Sequence, residues 1–143
     1  MAATQLDVNH LFTMTASLGD NTNGLIRGGP TGTRFIASVS GGEFEGPKIK
    51  GTIVPPGGDW VHVRDNGTIH LDVRILLVTD DGESILVTYQ GIGHPQGDGT
   101  TSIRTAPTFE TGAEAYAWLN DVQAVGIGSS DGKSVTYEVY ALA

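Results

Sequence analysis

Three side chains able to handle protons or charge stand together in the segment "TIHLDVRILLV" (68–78): the imidazole of His70, the carboxylate of Asp72 and the guanidinium of Arg74. They occupy every second position, so on an extended chain they project from one face. A carboxylate beside an arginine suits proton transfer next to a developing oxyanion, the arginine holding the oxygen while the carboxylate takes or returns the proton. Two carboxylates around one arginine would also hold their pKa values apart, as an acid–base pair requires.

Turn chemistry says which residues join them. In "RDNGT" the pair Asn66-Gly67 is a strong two-residue hairpin signal, and that turn places Asp59 opposite Arg74 and Val63 opposite His70. In "VTDDGES" a turn at Asp81-Gly82 places Tyr89 opposite Arg74. Opposed residues share a sheet face, which predicts a transverse row Asp59–Arg74–Tyr89. Val61, Val63, Leu76, Val78, Ile85 and Val87 lie on the same face, and this mixture of aliphatic and charged residues fits the ligand pocket of a small barrel. Candidate catalytic residues are therefore Asp59, Asp72, Arg74 and Tyr89. Asp59 or Asp72 would act as base, Arg74 would bind a carbonyl, carboxylate or enolate oxygen, and Tyr89 would donate to it. A three-residue "DNG" turn ending in a glycine bulge would instead put His62 opposite His70 and Trp60 opposite Asp72. Arg104 could enter the same pocket, though the 91–101 loop leaves its strand unregistered. Plain structural roles compete with each assignment: an ion pair pinning two strands for Asp59 and Arg74, a lumen-filling aromatic for Tyr89, a rim charge for Arg104.

The supporting elements are short alternating runs separated by some of the chain's 21 glycines, the pattern of an antiparallel β protein. Strands are expected near 10–18, 33–40, 43–54, 59–64, 68–78, 84–91, 102–106, 122–127 and 134–142, with Phe12, Met14, Ala16 and Leu18 on one face. One segment differs. In "TFETGAEAYAWLND" Thr111 precedes Glu114 by three residues, a capping-box spacing that predicts a short helix near 111–120. Eight or nine strands with one helix predict an all-β, antiparallel, lipocalin-like barrel, because closure removes exposed sheet edges, with a β-sandwich as the alternative. The second face of the 68–78 strand (Ile69, Leu71, Val73, Ile75, Leu77) is also apolar and needs cover from the helix or a partner subunit.

Composition bounds the rest. The chain of 143 residues reads as a single domain (1–143). Its formal net charge of −8, from 8 Lys+Arg against 16 Asp+Glu, argues against nucleic acid and anionic membranes. The absence of cysteine removes disulfides, thiolate nucleophiles and thiolate metal sites. The segment "MAATQLDVNHLFTMTASLGD" has no basic n-region and no long apolar core, and no window approaches membrane length, so a cytoplasmic protein is expected. His62, His70 and Asp72 share a face only in the second register and no H-x-H or H-E-x-x-H spacing occurs, so no metal is expected. His10 and His94 read as surface residues. The glycine-rich stretches "GIGHPQGDGTT" and "GGPTG" match neither phosphate-binding pattern, though a 92–101 loop could cover a barrel mouth as a lid.

Three stretches, "GTRFIASVSGGEFEGPKIKGTIVPPGGDW", "LDVRILLVTDDGESILVTYQG" and "IRTAPTFETGAEAYAWLNDVQAVGIG", together resemble the domain-of-unknown-function family numbered three-two-three-seven, over roughly residues 10 to 142. The resemblance implies a small, oligomeric antiparallel barrel and little chemistry. It carries over Arg34, Glu45, Asp59, Trp60, Asp72, Arg74, Arg104, Tyr116, Trp118 and Asn120. From these and His70, the expected substrate-binding set is Arg34, Glu45, Trp60, His70, Arg104, Trp118 and Asn120. Two departures stand out: the double proline of "IVPPGGDW", and Ile75 where an aromatic is expected after Arg74. The leading expectation is a cofactor-independent isomerase, hydratase/dehydratase or cyclase, working by acid–base chemistry on a carbonyl-containing or aromatic small molecule and forming a homo-oligomer. A non-catalytic ligand-binding barrel is the runner-up, and a structural module the third reading.

Overall fold

The computed structural model describes residues 2–19 and 24–143. It contains β1 (Val8–Leu18), β2 (Ile26–Gly29), β3 (Gly32–Glu45), β4 (Lys50–Val63), β5 (Ile69–Thr79), β6 (Ser84–Pro95), β7 (Thr101–Thr105), β8 (Thr108–Glu110), β9 (Ala124–Ser130) and β10 (Ser134–Leu142). A short 3-10 helix, Glu114–Asp121, links β8 to β9. The strands pair in the order β1-β10-β9-β7-β6-β5-β4-β3, and β3 pairs back onto β1, closing an eight-stranded antiparallel barrel. β2 extends β3 and β8 pairs with β6 outside that circuit. The expected class, a small antiparallel barrel with one short helix, is the one present.

Two local expectations change. Residues 43–54 are not one strand: β3 ends at Glu45, a turn closed by the Gly46 N–H on the Ile49 carbonyl follows, and β4 starts at Lys50. The helix begins at Glu114 with Ala113 before it and no side-chain cap, so the Thr111–Glu114 capping box does not form. Thr111 is committed elsewhere. Its hydroxyl donates to the Ser84 carbonyl at 2.8 Å and accepts the Ala113 N–H at 3.1 Å.

The lower half of the barrel is filled. Phe12, Phe44 and Phe109 meet edge to face, with ring centroids 5.6 Å (Phe12–Phe44) and 6.0 Å (Phe12–Phe109) apart, and Leu77, Ile85 and Leu119 are fully buried. Each such side chain contributes roughly 1.5–3 kcal/mol by leaving water, and this plug is continuous with the rest of the barrel's apolar core.

The central hairpins differ from the preferred registration. Both turns hold three residues. Asp65-Asn66-Gly67 is closed by Arg64 N–H to Thr68 O (2.9 Å) and Gly67 N–H to Arg64 O (2.9 Å), and Asp80-Asp81-Gly82 by the equivalent bonds of Thr79, Glu83 and Gly82. Gly67 and Gly82 adopt φ of 87° and 91°, the left-handed conformation such a turn needs at its last residue. In consequence His62 pairs with His70, Asp59 with Val73 and Tyr89 with Val73. A one-residue slip sends every side chain of a strand to the other face. β5 therefore turns Leu71, Val73, Ile75 and Leu77 inward and sets Asp72 and Arg74 on the exposed outside, with His70 part-buried beside them. The physical reason is plain. The odd-numbered face is wholly aliphatic, whereas the even-numbered face would have buried an imidazole, a carboxylate and a guanidinium at once.

Candidate functional site

β4 and β6 keep the facing expected for them, and between them they place Asp59 and Tyr89 inside the barrel. The transverse row across the three strands is Asp59–Val73–Tyr89, with valine where arginine was expected. One oxygen of the Asp59 carboxylate, Oδ1, accepts the Asp72 backbone N–H at 2.9 Å. That bond ties the side chain to the neighbouring strand and fixes its direction.

Two cavities meet at Asp59. The larger, about 470 Å³, lies at the barrel mouth and is walled by Leu18, Phe35, Val61, Ile69, Leu71 and Ile103. A small chamber of about 60 Å³ continues inward and is bordered by Asp59, Tyr89 and Tyr137. Among the described lining residues of both cavities there is no lysine, arginine or histidine. Loop residues Gly99 and Gly132 sit at the mouth.

Tyr137 is the residue that sequence reasoning missed. It projects inward from β10 and meets Tyr89 edge to face with centroids 5.6 Å apart. Its alternating context, Val135-Tyr137-Val139, marks an inward face, but β10 lies across β9 and β7 from β6, and no turn signal registers strands that far apart. Room for its ring comes from β9. Gly128 pairs with Tyr137, and a Cβ there would fall 2.3 Å from the ring.

The electrostatics follow from burial without a cation. Burial raises the Asp59 carboxyl to about 6. The hydrogen bond from Asp72 pulls it down and the Asp72 charge adds a push upward. Burial also drives Tyr89 well above the ordinary phenol range, with the neighbouring Tyr137 next in importance. Tyr137 is raised mainly by burial, against the hydrogen bond it shares with Tyr89. Near neutral pH the site holds one carboxyl that titrates close by and two neutral phenols.

The remaining expected residues are dispersed. Asp72 and Arg74 are exposed outside the barrel, so the Asp59–Arg74 pairing does not exist. Arg34 is exposed and its Nε donates to Thr31 at 3.1 Å. Glu45 is exposed at the end of β3, opposite Lys50. Trp60 is 47% exposed on the outer wall. His70 faces His62 there, ring centroids 6.4 Å apart, and burial pulls it below the ordinary imidazole range, with Arg64 and His62 adding to the effect. Arg104 is exposed and donates to the Ser102 hydroxyl at 3.2 Å and the Ile103 carbonyl at 2.9 Å. Trp118 lies on the 3-10 helix, away from Asp59. Asn120 clamps Thr111, accepting its N–H at 2.8 Å and donating to its carbonyl at 3.0 Å. Tyr116 donates to Asp81 at 2.9 Å. These last two hold the helix and the β5–β6 turn in place.

The class is now defined: a small closed β-barrel whose apolar lumen carries one half-buried carboxyl beside a buried tyrosine pair. The chain belongs to the family described as "Protein of unknown function (DUF3237)", whose model matches residues 6–142. It is 33% identical to a UPF0311 protein of Rhodopseudomonas palustris, across 94% of this chain and 95% of that one. The crystal structure of a β-barrel-like protein from Acinetobacter baumannii superposes with a TM-score of 0.87 at 28% identity, covering 99% of each chain. A more distant relative is the hydroalkoxylation enzyme phnH of Penicillium herquei, 35% identical over 94 residues, which span 65% of this chain and 56% of that enzyme. Among the described residues no helix is long and apolar enough to cross a membrane.

Proposed function

We propose that the protein is an acid–base enzyme that adds an O–H group across a carbon–carbon double bond, or reverses that addition, within a neutral and largely apolar substrate. The observation carrying this reading is Asp59. It is a carboxyl raised to about 6, placed where an apolar cavity of about 470 Å³ narrows onto two buried phenols. That volume is of the size that holds a small organic ligand. A carboxyl titrating near 6 is protonated often enough to act as acid and ionised often enough to act as base.

The step balances on this set. Protonated Asp59 gives its proton to one alkene carbon. The substrate hydroxyl oxygen forms the new C–O bond at the other carbon, and the hydroxyl proton returns to Asp59. Tyr89 and Tyr137, kept neutral by burial, orient the oxygen. The absence of a cation among the described lining residues favours uncharged substrates over carboxylates and phosphates. The hydroalkoxylation enzyme phnH, a partial relative, performs by its name an addition of this type. This chemistry needs proton transfer only and calls on no cofactor.

The test is a panel of neutral alkenyl phenols incubated with the wild-type protein and Asp59→Asn. The expected result is a product of unchanged mass and altered retention with the wild type, lost in Asp59→Asn while the fold survives. Tight binding without turnover in both proteins would support the binding-barrel reading instead. Neither binding nor turnover would overturn the lumen site.

A further inference from the structure

We propose a second ligand site at the opposite end of the barrel, a pocket for a planar aromatic carboxylate built between Trp118 and Lys48. It is independent of the lumen reading. A cavity of about 680 Å³ opens where the first residues of β1, the turn between β3 and β4, the 3-10 helix and the end of β10 come together. It is not a back door to the lumen, because the Phe12–Phe44–Phe109 plug fills the barrel between them.

Its walls combine three features that suit one class of ligand. The first is an indole partly in solvent: Trp118 is 37% exposed, a state that leaves aromatic surface free to stack. The second is a cation at the right place. Lys48 Nζ stands 5.6 Å from the Trp118 ring centroid, within cation–π range. Among the described residues the one side-chain contact of salt-bridge geometry is His10 Nε2 to Glu138 Oε1 at 2.8 Å, so Lys48 has no carboxylate partner there although the protein carries a net charge of −8. His10 is thereby engaged, which leaves Lys48 as the cation of the described lining whose partner is the Trp118 ring and not a carboxylate. The third is an apolar floor of Leu11, Val122 and Leu142. An aromatic ring laid along Trp118 and this floor removes apolar surface from water, while its carboxylate exchanges with the cation–π contact for a charge-assisted bond to Lys48.

The test follows the indole N–H resonance of Trp118 in a Trp60→Phe background, where it is the single tryptophan left. The probes are 2-naphthoate and its uncharged analogue 2-naphthylmethanol. A saturable shift with 2-naphthoate is expected, about tenfold weaker for the alcohol and in Lys48→Met, retained in Lys48→Arg and unchanged in Asp59→Asn. No saturable shift, equal affinity for both probes, or indifference to Lys48→Met would overturn the site. Loss of the shift in Asp59→Asn would assign the response to the lumen and overturn it equally.

Discussion

The backbone N–H of Asp72 donates to Asp59 Oδ1 across the β4–β5 boundary at 2.9 Å, yet the two carboxylates lie on opposite faces of the sheet. Asp59 looks into the lumen and Asp72 into solvent. Two acids close together in space are thus separated in role by the wall between them. The inner one feels the outer one's charge only as a minor addition to the effect of its own burial.

Burial of Asp59 has a consequence for stability. An acid whose folded-state pKa exceeds its unfolded value of 3.8 binds more protons folded than unfolded between those values. Its contribution to stability therefore falls as pH rises from about 4 to about 6 and stays low above. Asp59→Asn keeps an oxygen for the Asp72 N–H and removes the titration. It is expected to be more stable than the wild type at pH 7, by about 2 kcal/mol, with the gap closing towards pH 4. Urea unfolding at a series of pH values measures this, and parallel pH profiles for the two proteins would refute it.

The same substitution separates stability from catalysis. If Asp59 shuttles the proton, Asp59→Asn loses turnover by about a hundredfold or more on whichever neutral substrate the wild type accepts. The wild-type kcat profile should bend near pH 6, and that bend should vanish from the residual activity of the variant.

Tyr89→Phe and Tyr137→Phe keep the rings and remove the hydroxyls. If the hydroxyls orient the reacting oxygen while the walls supply most of the binding, each substitution is expected to lower kcat by roughly tenfold to a hundredfold with a smaller change in KM. A rise in KM at constant kcat would show that they only bind.

Gly128→Ala tests how the site is built. The added methyl would lie 2.3 Å from the Tyr137 ring, so either β9 or the tyrosine must move, at a cost of about 1–3 kcal/mol. Thermal unfolding should show that loss, accompanied by reduced turnover. Full stability with full activity would mean that Tyr137 has freedom it does not show in this packing.

Asp72→Asn and Arg74→Met serve as the outer-wall contrast. Both side chains are exposed, so stability should stay within about 0.5 kcal/mol and lumen binding should be unaltered. A loss of ligand affinity in Arg74→Met would return the arginine to the site.

Much of this protein is legible in its sequence by itself. The alternation of "TIHLDVRILLV" makes a strand with one aliphatic face, the Asp-x-Gly turns make antiparallel neighbours, and the number of such runs calls for closure. Those are local properties, set by side-chain period and turn conformation within a few residues. Asp59 and Tyr89 were also reachable, since each lies on the aliphatic face of its own strand. The facing of β5 depended on one residue in each turn, and the tertiary structure settled it by burying Leu71, Val73, Ile75 and Leu77 in place of His70, Asp72 and Arg74. Only the closed barrel could bring Tyr137 against Tyr89, because β10 reaches β6 through β9 and β7. It also carried Trp118 to the far end of the molecule. Which acids meet the lumen is a matter of long-range register, and register is decided by the desolvation balance of the whole sheet rather than by any one strand.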